Sequence, residues 1–122
     1  MIKTYGLTHI ALAVHDVERS SHFYCQIFGA VETYHKEDFI QIETPGHHDV
    51  IVFQTGTEEE IGKAGGILHF GFRLVDPADI DAAARAVEEA GGTVRSRGEF
   101  APGVPYLYAS DPDGYEVEIW YE

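Results

Sequence analysis

Two histidines and a group of glutamates stand where this chain could do chemistry. THIALAVHD (residues 8–16) and LHFGFRLVD (residues 68–76) both place histidine second and aspartate last, so His69 follows His9, and Asp76 follows Asp16, by the same 60 residues. DPDGYEVEIWYE (residues 111–122) then carries Glu116, Glu118 and Glu122. Neutral imidazole is the commonest metal ligand. Two imidazoles and one carboxylate form a facial set that leaves positions open for water or substrate and suits Fe(II), Mn(II), Zn(II) or Ni(II). Such a site supports Lewis-acid activation of a bound oxygen, or of dioxygen where the metal is redox-active. A single histidine on a strand is usually a satisfied or partly exposed residue, but a second one at the equivalent place of a repeated unit is hard to assign to chance. His15, His22, His35, His47 and His48 have no such internal support. His22 reads as a helix-surface residue and His47-His48 as a turn.

The elements that must position these groups follow from periodicity. Residues 7–14 alternate as a strand, with Ile10, Leu12 and Val14 on one face and His9, Ala11 and Ala13 on the other. Asp16 is an N-cap for a helix to about residue 28, with Val17, Ser21, Tyr24, Ile27 and Phe28 along one stripe and Gly29 as its stop. Strands fit VETYH, DFIQIE and DVIVFQ, separated by residues 35–37 and by the Pro45-Gly46 turn. The second copy repeats this order. Phe70, Phe72 and Leu74 oppose His69, Gly71 and Arg73; Asp76-Pro77 opens a helix whose buried stripe is Ile80, Ala83, Ala84 and Val87, and Gly91-Gly92 ends it. Strands near TVRSR, VPYLYA and YEVEIWY follow, and GKAGG (residues 62–66) reads as the connection between copies.

Each copy is thus β-α-β-β-β, an α+β unit with a helix on one sheet face only. On the bare face small residues flank each histidine, and Glu116, Glu118 and Trp120 alternate against Val117, Ile119 and Tyr121. If the two bare faces line a common concave space, two histidines and a carboxylate from three strands converge on it.

Composition limits the partners. With 122 residues, 44% of them hydrophobic, the chain has the material for one core. Its net charge of -13 repels phosphate backbones and anionic membrane surfaces, which argues against nucleic acid and membrane as partners. No apolar run is long enough to span a bilayer, and the first residues lack the features of a leader, so a cytoplasmic location is expected. The single cysteine, Cys25, reads as a packed thiol on the first helix.

THIALAV, the helix VERSSHFYCQIFGA, LHFGFRL and DPDGYEVEIW together resemble the vicinal oxygen chelate superfamily. It comprises glyoxalase I, bleomycin-resistance proteins, fosfomycin-resistance thiol transferases and extradiol ring-cleaving dioxygenases. The resemblance spans almost the whole chain. Its most specific parts are the DPDG turn with a glutamate four residues after its glycine, and the first strand followed by an FY-containing helix and FGA. It implies one domain over residues 1–122, with module one at about 1–61 and module two at about 66–122, paired into a curved sheet around a metal-binding cleft. On matching positions the divalent-metal ligands are His9, His69 and Glu118. Tyr108, in YASDPDGYEVE, is the implied catalytic residue and hydrogen-bonds a substrate hydroxyl. Relatives of this length commonly complete the cleft across a homodimer, so that His9 serves a site whose His69 and Glu118 come from the partner.

The implied substrate is a small molecule that chelates the metal through vicinal oxygens. An extradiol-type dioxygenase is the leading reading and a lactoylglutathione-lyase-like (glyoxalase) isomerase the alternative. A fosfomycin-type thiol transferase and a non-catalytic, ligand-sequestering binding protein complete the field. Three departures bear on the choice. Glu99, Phe100 and Ala101 stand where the dioxygenase signature has a histidine. Val52 falls opposite Glu118 when DVIVFQ is laid over YEVEIW, leaving Gln54 as the nearest substitute for a fourth ligand. Ala11 stands where the phosphonate-binding relatives have a threonine, and a phosphonate here would need Arg73, Arg95 or Arg97.

Overall fold

A computed structural model describes residues 1–122. The chain divides into two compact units, Met1–Ile61 and Gly62–Glu122. In the first, the order is β1 (His9–Val14), α1 (Val17–Phe28), β2 (Val31–Lys36), β3 (Phe39–Glu43) and β4 (Val50–Thr55). In the second it is β5 (Phe70–Arg73), α2 (Ile80–Glu89), β6 (Thr93–Ala101), β7 (Val104–Ser110) and β8 (Glu116–Trp120). Each unit is therefore the β-α-β-β-β module that the duplicated sequence predicts. Both sheets are mixed, with strand orders β1-β4-β3-β2 and β5-β8-β7-β6. The first and last strands of each module pair in parallel and the other neighbours antiparallel. No helix is long and apolar enough to cross a membrane.

Register makes the duplication geometric. Ala11 pairs with Val52 on β4, and Gly71, at the same place in the second module, pairs with Glu118 on β8. The first module thus has valine where the second has its candidate ligand. The second also has the longer hairpin, with nine and seven residues in β6 and β7 against six and five in β2 and β3.

In the first unit the Asp16 carboxylate accepts from the Glu18 and Arg19 amides at 3.0 and 3.1 Å, satisfying donors that a helix start leaves free. Gly29 ends α1, its amide donating to the Cys25 carbonyl at 3.0 Å. Val17, Ser20, Ser21, Phe23 and Tyr24 are buried. The predicted stripe held Val17, Ser21 and Tyr24, but Ile27 and Phe28 are only half-buried and Phe23 takes their place in the core. Against this stripe the sheet sets Ile40, Ile42, Ile51 and Phe53, with the Tyr24 ring stacked on Phe53 at 5.4 Å. Alternation sends the intervening side chains, Ala11, Val52 and Gln54 among them, to the face α1 does not cover.

The second unit follows the same plan with one correction. The predicted helix begins at Pro77, but residues 77–79 form a 3-10 turn and α2 starts at Ile80. The Asp76 carboxylate accepts from the Ala78 amide at 2.9 Å, and the Asp79 amide donates back to the Asp76 carbonyl at 3.1 Å, which closes the tighter ring. Ala83 and Val87 are buried, and so are Leu107, Ala109, Val117 and Ile119 on alternate sheet positions. β6 runs four residues past the predicted TVRSR. The Pro102-Gly103 turn lets pairing continue to Ala101↔Val104, through two register shifts.

Two polar devices hold the sheets in place. Asp111, 4% exposed, accepts from the Asp113 and Tyr115 amides at 2.9 and 3.0 Å, while the Gly114 amide donates to the Asp111 carbonyl at 3.0 Å. Gly114 has φ +94°, which a side-chain-bearing residue adopts only with strain. DPDG is thus a closed loop that fixes where β8 begins. In the first unit His35 lies within β2 rather than in the predicted break, because the turn is confined to residues 37 and 38. Its Nδ1 lies 2.9 Å from Glu32 and its Nε2 3.2 Å from Glu18 on α1, and the buried Ser21 hydroxyl donates to Glu32 at 2.7 Å.

Replacing Asp111 by alanine leaves two half-buried amides without their acceptor and is expected to lower unfolding free energy by about 1 kcal/mol, measured by urea denaturation. The His35 cluster gives a pH signature. The hydrogen bond to Glu32 raises the imidazole pKa above its ordinary 6.5, so its contribution is complete below 6.5 and is lost as pH rises through the raised value. Hydrogen bonds from Ser21 and then His35 hold Glu32 below its ordinary 4.5, so that contribution is present above 4.5 and is lost as pH falls through the lowered value. The stability difference between wild type and His35→Gln should therefore be largest between pH 4.5 and 6.5 and shrink at higher pH.

Candidate functional site

The uncovered face of the second sheet gathers three of the four residues singled out in the sequence. Glu118 sits at the middle of β8, its side chain 13% exposed, between Gly71 on β5 and Tyr108 on β7. His69, one residue before β5, places Nε2 3.1 Å from Glu118 Oε2. Tyr108 faces Glu118 from the other side in the β7–β8 register, and its ring meets the His69 ring edge-on at 5.2 Å. Partial burial first, and then the bond to the Glu118 carboxylate, hold the Tyr108 phenol above its ordinary pKa of 10.0. The group is therefore a proton donor at neutral pH. Glu116 shares the face nearer the DPDG turn and is exposed.

His9, the fourth residue, belongs to the first unit. It opens β1, exposed, opposite Val50, with Ala11 and Ala13 beyond it on the same face. No three His, Cys, Asp or Glu side chains of the chain come together as a group that could hold a metal ion. His69 and Glu118 come together within the second unit.

That pair fits a metal by its own geometry. Nitrogen and oxygen donors each about 2.0–2.2 Å from one cation and at right angles to one another lie about 3 Å apart. The 3.1 Å spacing of His69 Nε2 and Glu118 Oε2 is that of adjacent ligands. Gly71 contributes by lacking a side chain: a Cβ there would stand 3.3 Å from both the Glu118 carbonyl oxygen and Trp120 Nε1. The indole of Trp120 thus lies across Gly71 beside the pair.

Aromatic residues that the sequence reading did not single out extend this face. Phe100 stacks on Tyr106 at 4.5 Å, and Tyr106 lies 5.5 Å from Tyr108. Phe100, Val104, Glu118, Trp120 and Glu122 line an open cavity of about 390 Å³. The signal was present as the alternation of Tyr106 and Tyr108 in VPYLYA. Knowing that this alternation faces Glu118 required the β7–β8 register, which sequence does not give. Two of the arginines considered for an anionic substrate are engaged elsewhere. Arg73 lies over the Trp120 ring at 5.7 Å and donates to the Glu122 carbonyl, and Arg97 pairs with Asp81.

The first unit has its own cavity of about 400 Å³, lined by Tyr34, Lys36, Asp38, Phe39, Gln54 and Thr55. Tyr34 meets Phe39 edge-on at 5.6 Å, with the Lys36 ammonium 5.5 Å from the Tyr34 ring. Gln54, the substitute considered for a fourth ligand, belongs to this wall, and the place equivalent to Glu118 is taken by the buried Val52.

A duplicated β-α-β-β-β module with a helix on one face and histidine and glutamate on the other defines a class of small mixed-sheet α+β proteins. The chain belongs to the Glyoxalase/Bleomycin resistance protein/Dioxygenase superfamily, whose family model matches residues 6–119. Among solved structures it is similar to a fosfomycin resistance protein, FosX, from Listeria monocytogenes (22% identity, TM-score 0.80, covering 100% of this chain and 95% of that one). It is also similar to a glyoxalase-related enzyme from Fulvimarina pelagi (21% identity, TM-score 0.78, 98% and 89%). A lactoylglutathione lyase from Agrobacterium tumefaciens shares the fold at 19% identity (TM-score 0.72, 97% and 94%). No curated protein matches the chain in sequence.

Because the Glu118 carboxylate helps hold the Tyr108 proton, Glu118→Gln should move the phenol's titration back toward 10.0 while leaving the part due to burial. Ultraviolet absorbance titration of the metal-free protein, with Tyr108→Phe as the blank, measures the shift.

Proposed function

We propose that the protein is a divalent-metal-dependent enzyme acting on a small substrate that presents vicinal oxygens, with His9, His69 and Glu118 as the metal ligands. The observation that carries this reading is the 3.1 Å approach of His69 to Glu118 on a bare sheet face, with Tyr108 paired opposite Glu118 and its ring edge-on to His69. In this reading residues 1–122 act as one cytoplasmic domain whose sheets curve around a cleft. Two chains associate, and His9 completes a site whose His69 and Glu118 come from the partner subunit. Both halves of the ligand set are then supplied without any three donors meeting in one chain.

A bound cation of this kind supplies Lewis acidity toward substrate oxygens and, when it is iron or manganese, access to dioxygen chemistry. The chain's own residues do the rest. Glu118 offers one oxygen toward the metal position and sits between Gly71 and Tyr108 on the neighbouring strands. Tyr108, its single proton turned to Glu118, accepts a hydrogen bond from a substrate hydroxyl and orients the ring that bears it. Gly71 keeps the space above the pair open.

An extradiol-type dioxygenase leads, since a phenol beside a His-Glu pair within an aromatic wall suits a hydroxylated ring. A glyoxalase-like isomerase is the alternative, favoured by the fold shared with the lactoylglutathione lyase. Against it, Val52 leaves no second carboxylate at the equivalent place to shuttle a proton. The tests are metal content and oxygen uptake. Wild type purified without chelator should hold a divalent metal, and His69→Ala and Glu118→Ala should each lose at least about tenfold in affinity; unchanged affinity in both would remove the assignment. The Fe(II)-loaded protein should consume oxygen with catechols. No uptake, with turnover of a methylglyoxal-glutathione adduct on Ni(II) or Zn(II), would reverse the order of the two reactions.

A further inference from the structure

We infer that the wall formed by Phe100, Tyr106 and Trp120 selects the substrate. It admits a planar aromatic ring of neutral or positive charge beside Glu118 and turns away anionic ones. The identity of that ring as substrate rests on the reading above; the binding itself does not.

Three features of the second unit point to such a ring. The cavity holds about 390 Å³, within the range of small-molecule pockets and ample for a one- or two-ring body. Its walls are flat: the indole of Trp120 lies across Gly71, and Phe100 stands at the tip of the β6–β7 hairpin, 57% exposed. Phe100 is stacked on Tyr106 at 4.5 Å and 28°, so one ring face is fixed by the protein and the other is left to solvent. A ligand ring completes that stack, and offset or edge-on aromatic pairs gain beyond simple burial.

Charge sets the second half of the preference. The ionisable groups lining the cavity are Glu118 and Glu122, and Glu116 shares the face. The nearby cation, Arg73, is turned onto the Trp120 ring and donates to the Glu122 carbonyl. An incoming carboxylate or phosphonate therefore meets the carboxylates of Glu118 and Glu122, with Glu116 on the same face, against the single guanidinium of Arg73, in a chain of net charge -13. Even in high dielectric such repulsion at close range amounts to about tenfold in affinity. Peptide thiol adducts and phosphonates are thereby disfavoured at this wall, which separates the competing substrate classes by a property other than the reaction.

Trp120 is the only tryptophan, so its fluorescence reports on this cavity alone. Metal-free protein is titrated with three nitrobenzenes of matched size: 4-nitrobenzyl alcohol, 4-nitrobenzylammonium and 4-nitrobenzoate. Free tryptophan amide corrects for absorption and collisional quenching. The alcohol and the ammonium should quench saturably, with the benzoate about tenfold weaker. Phe100→Ala should weaken the alcohol about fivefold or more, and Phe100→Tyr should keep wild-type affinity. Phe100 is exposed, and far-UV circular dichroism checks that the variants keep the fold. Equal affinity for all three probes, unchanged affinity in Phe100→Ala, or no saturable quenching would each overturn the inference. Repeating the titration with His69→Ala separates the two proposals. Ring binding that persists without metal affinity in the wild type leaves the wall and removes the metal; metal binding without any saturable probe removes the wall alone.

Discussion

Parallel pairing of the first and last strands is the constraint on which both modules rest. Parallel neighbours cannot be joined by a tight turn, so the chain must cross over, and in each module the helix makes the first part of that crossing on one face. The other face is left bare in consequence. The same pairing sets Gly71 beside Glu118, while the antiparallel β7 brings Tyr108 to its other side. A one-residue slip in β8 would turn Glu118 into the layer under α2 and Val117 or Ile119 out of it. Hydrophobic burial beneath the sheet thus fixes the chemistry above it, and the Asp111 loop pins the register at the strand's first residue.

Much of this was legible because it is local. The N-caps Asp16 and Asp76, the stops at Gly29 and Gly91, and the alternation in β1 and β8 follow from side chains acting within a few residues of themselves. The 60-residue repeat made the two modules visible, and laying DVIVFQ over YEVEIW anticipated the Val52–Glu118 equivalence that the sheet registers display. The rest depends on long-range pairing. Nothing in VETYHK says that His35 reaches across to Glu18 on α1, and nothing in TVRSRGEFA says that pairing continues past the basic stretch until Phe100 meets Tyr106. The helix start at Pro77 is not decided locally, because proline at a first position is compatible with either a 3-10 turn or an α-helix; the Asp79 amide decides by bonding three residues back rather than four.

The two bare faces show how one scaffold carries two characters. Equivalent positions hold Val52 and Gln54 in the first unit and Glu118 and Trp120 in the second; Phe39 in the first matches Tyr106 in the second. The first face sets a lysine and a glutamine beside its aromatic pair, while the second sets glutamates beside its aromatic rings. Burial beneath the sheets is nevertheless alike, with isoleucine, phenylalanine and valine under the first and leucine, valine and isoleucine under the second. The fold is set by the covered layers, which leaves the uncovered ones free to differ.

The irregular strands β2 and β6 have a consequence for the protein among its neighbours. Each is the outermost strand of its sheet on the hairpin side, and each breaks register, between Glu32 and Tyr34 in one and at two places in the other. Their exposed positions carry Glu32, Lys36, Arg95, Arg97 and Glu99. A straight, apolar border would template the addition of strands from other molecules and seed fibrous assemblies. Bulged and charged borders deny such strands a continuous ladder, so each sheet can leave one face bare while its hairpin-side margin discourages strand addition.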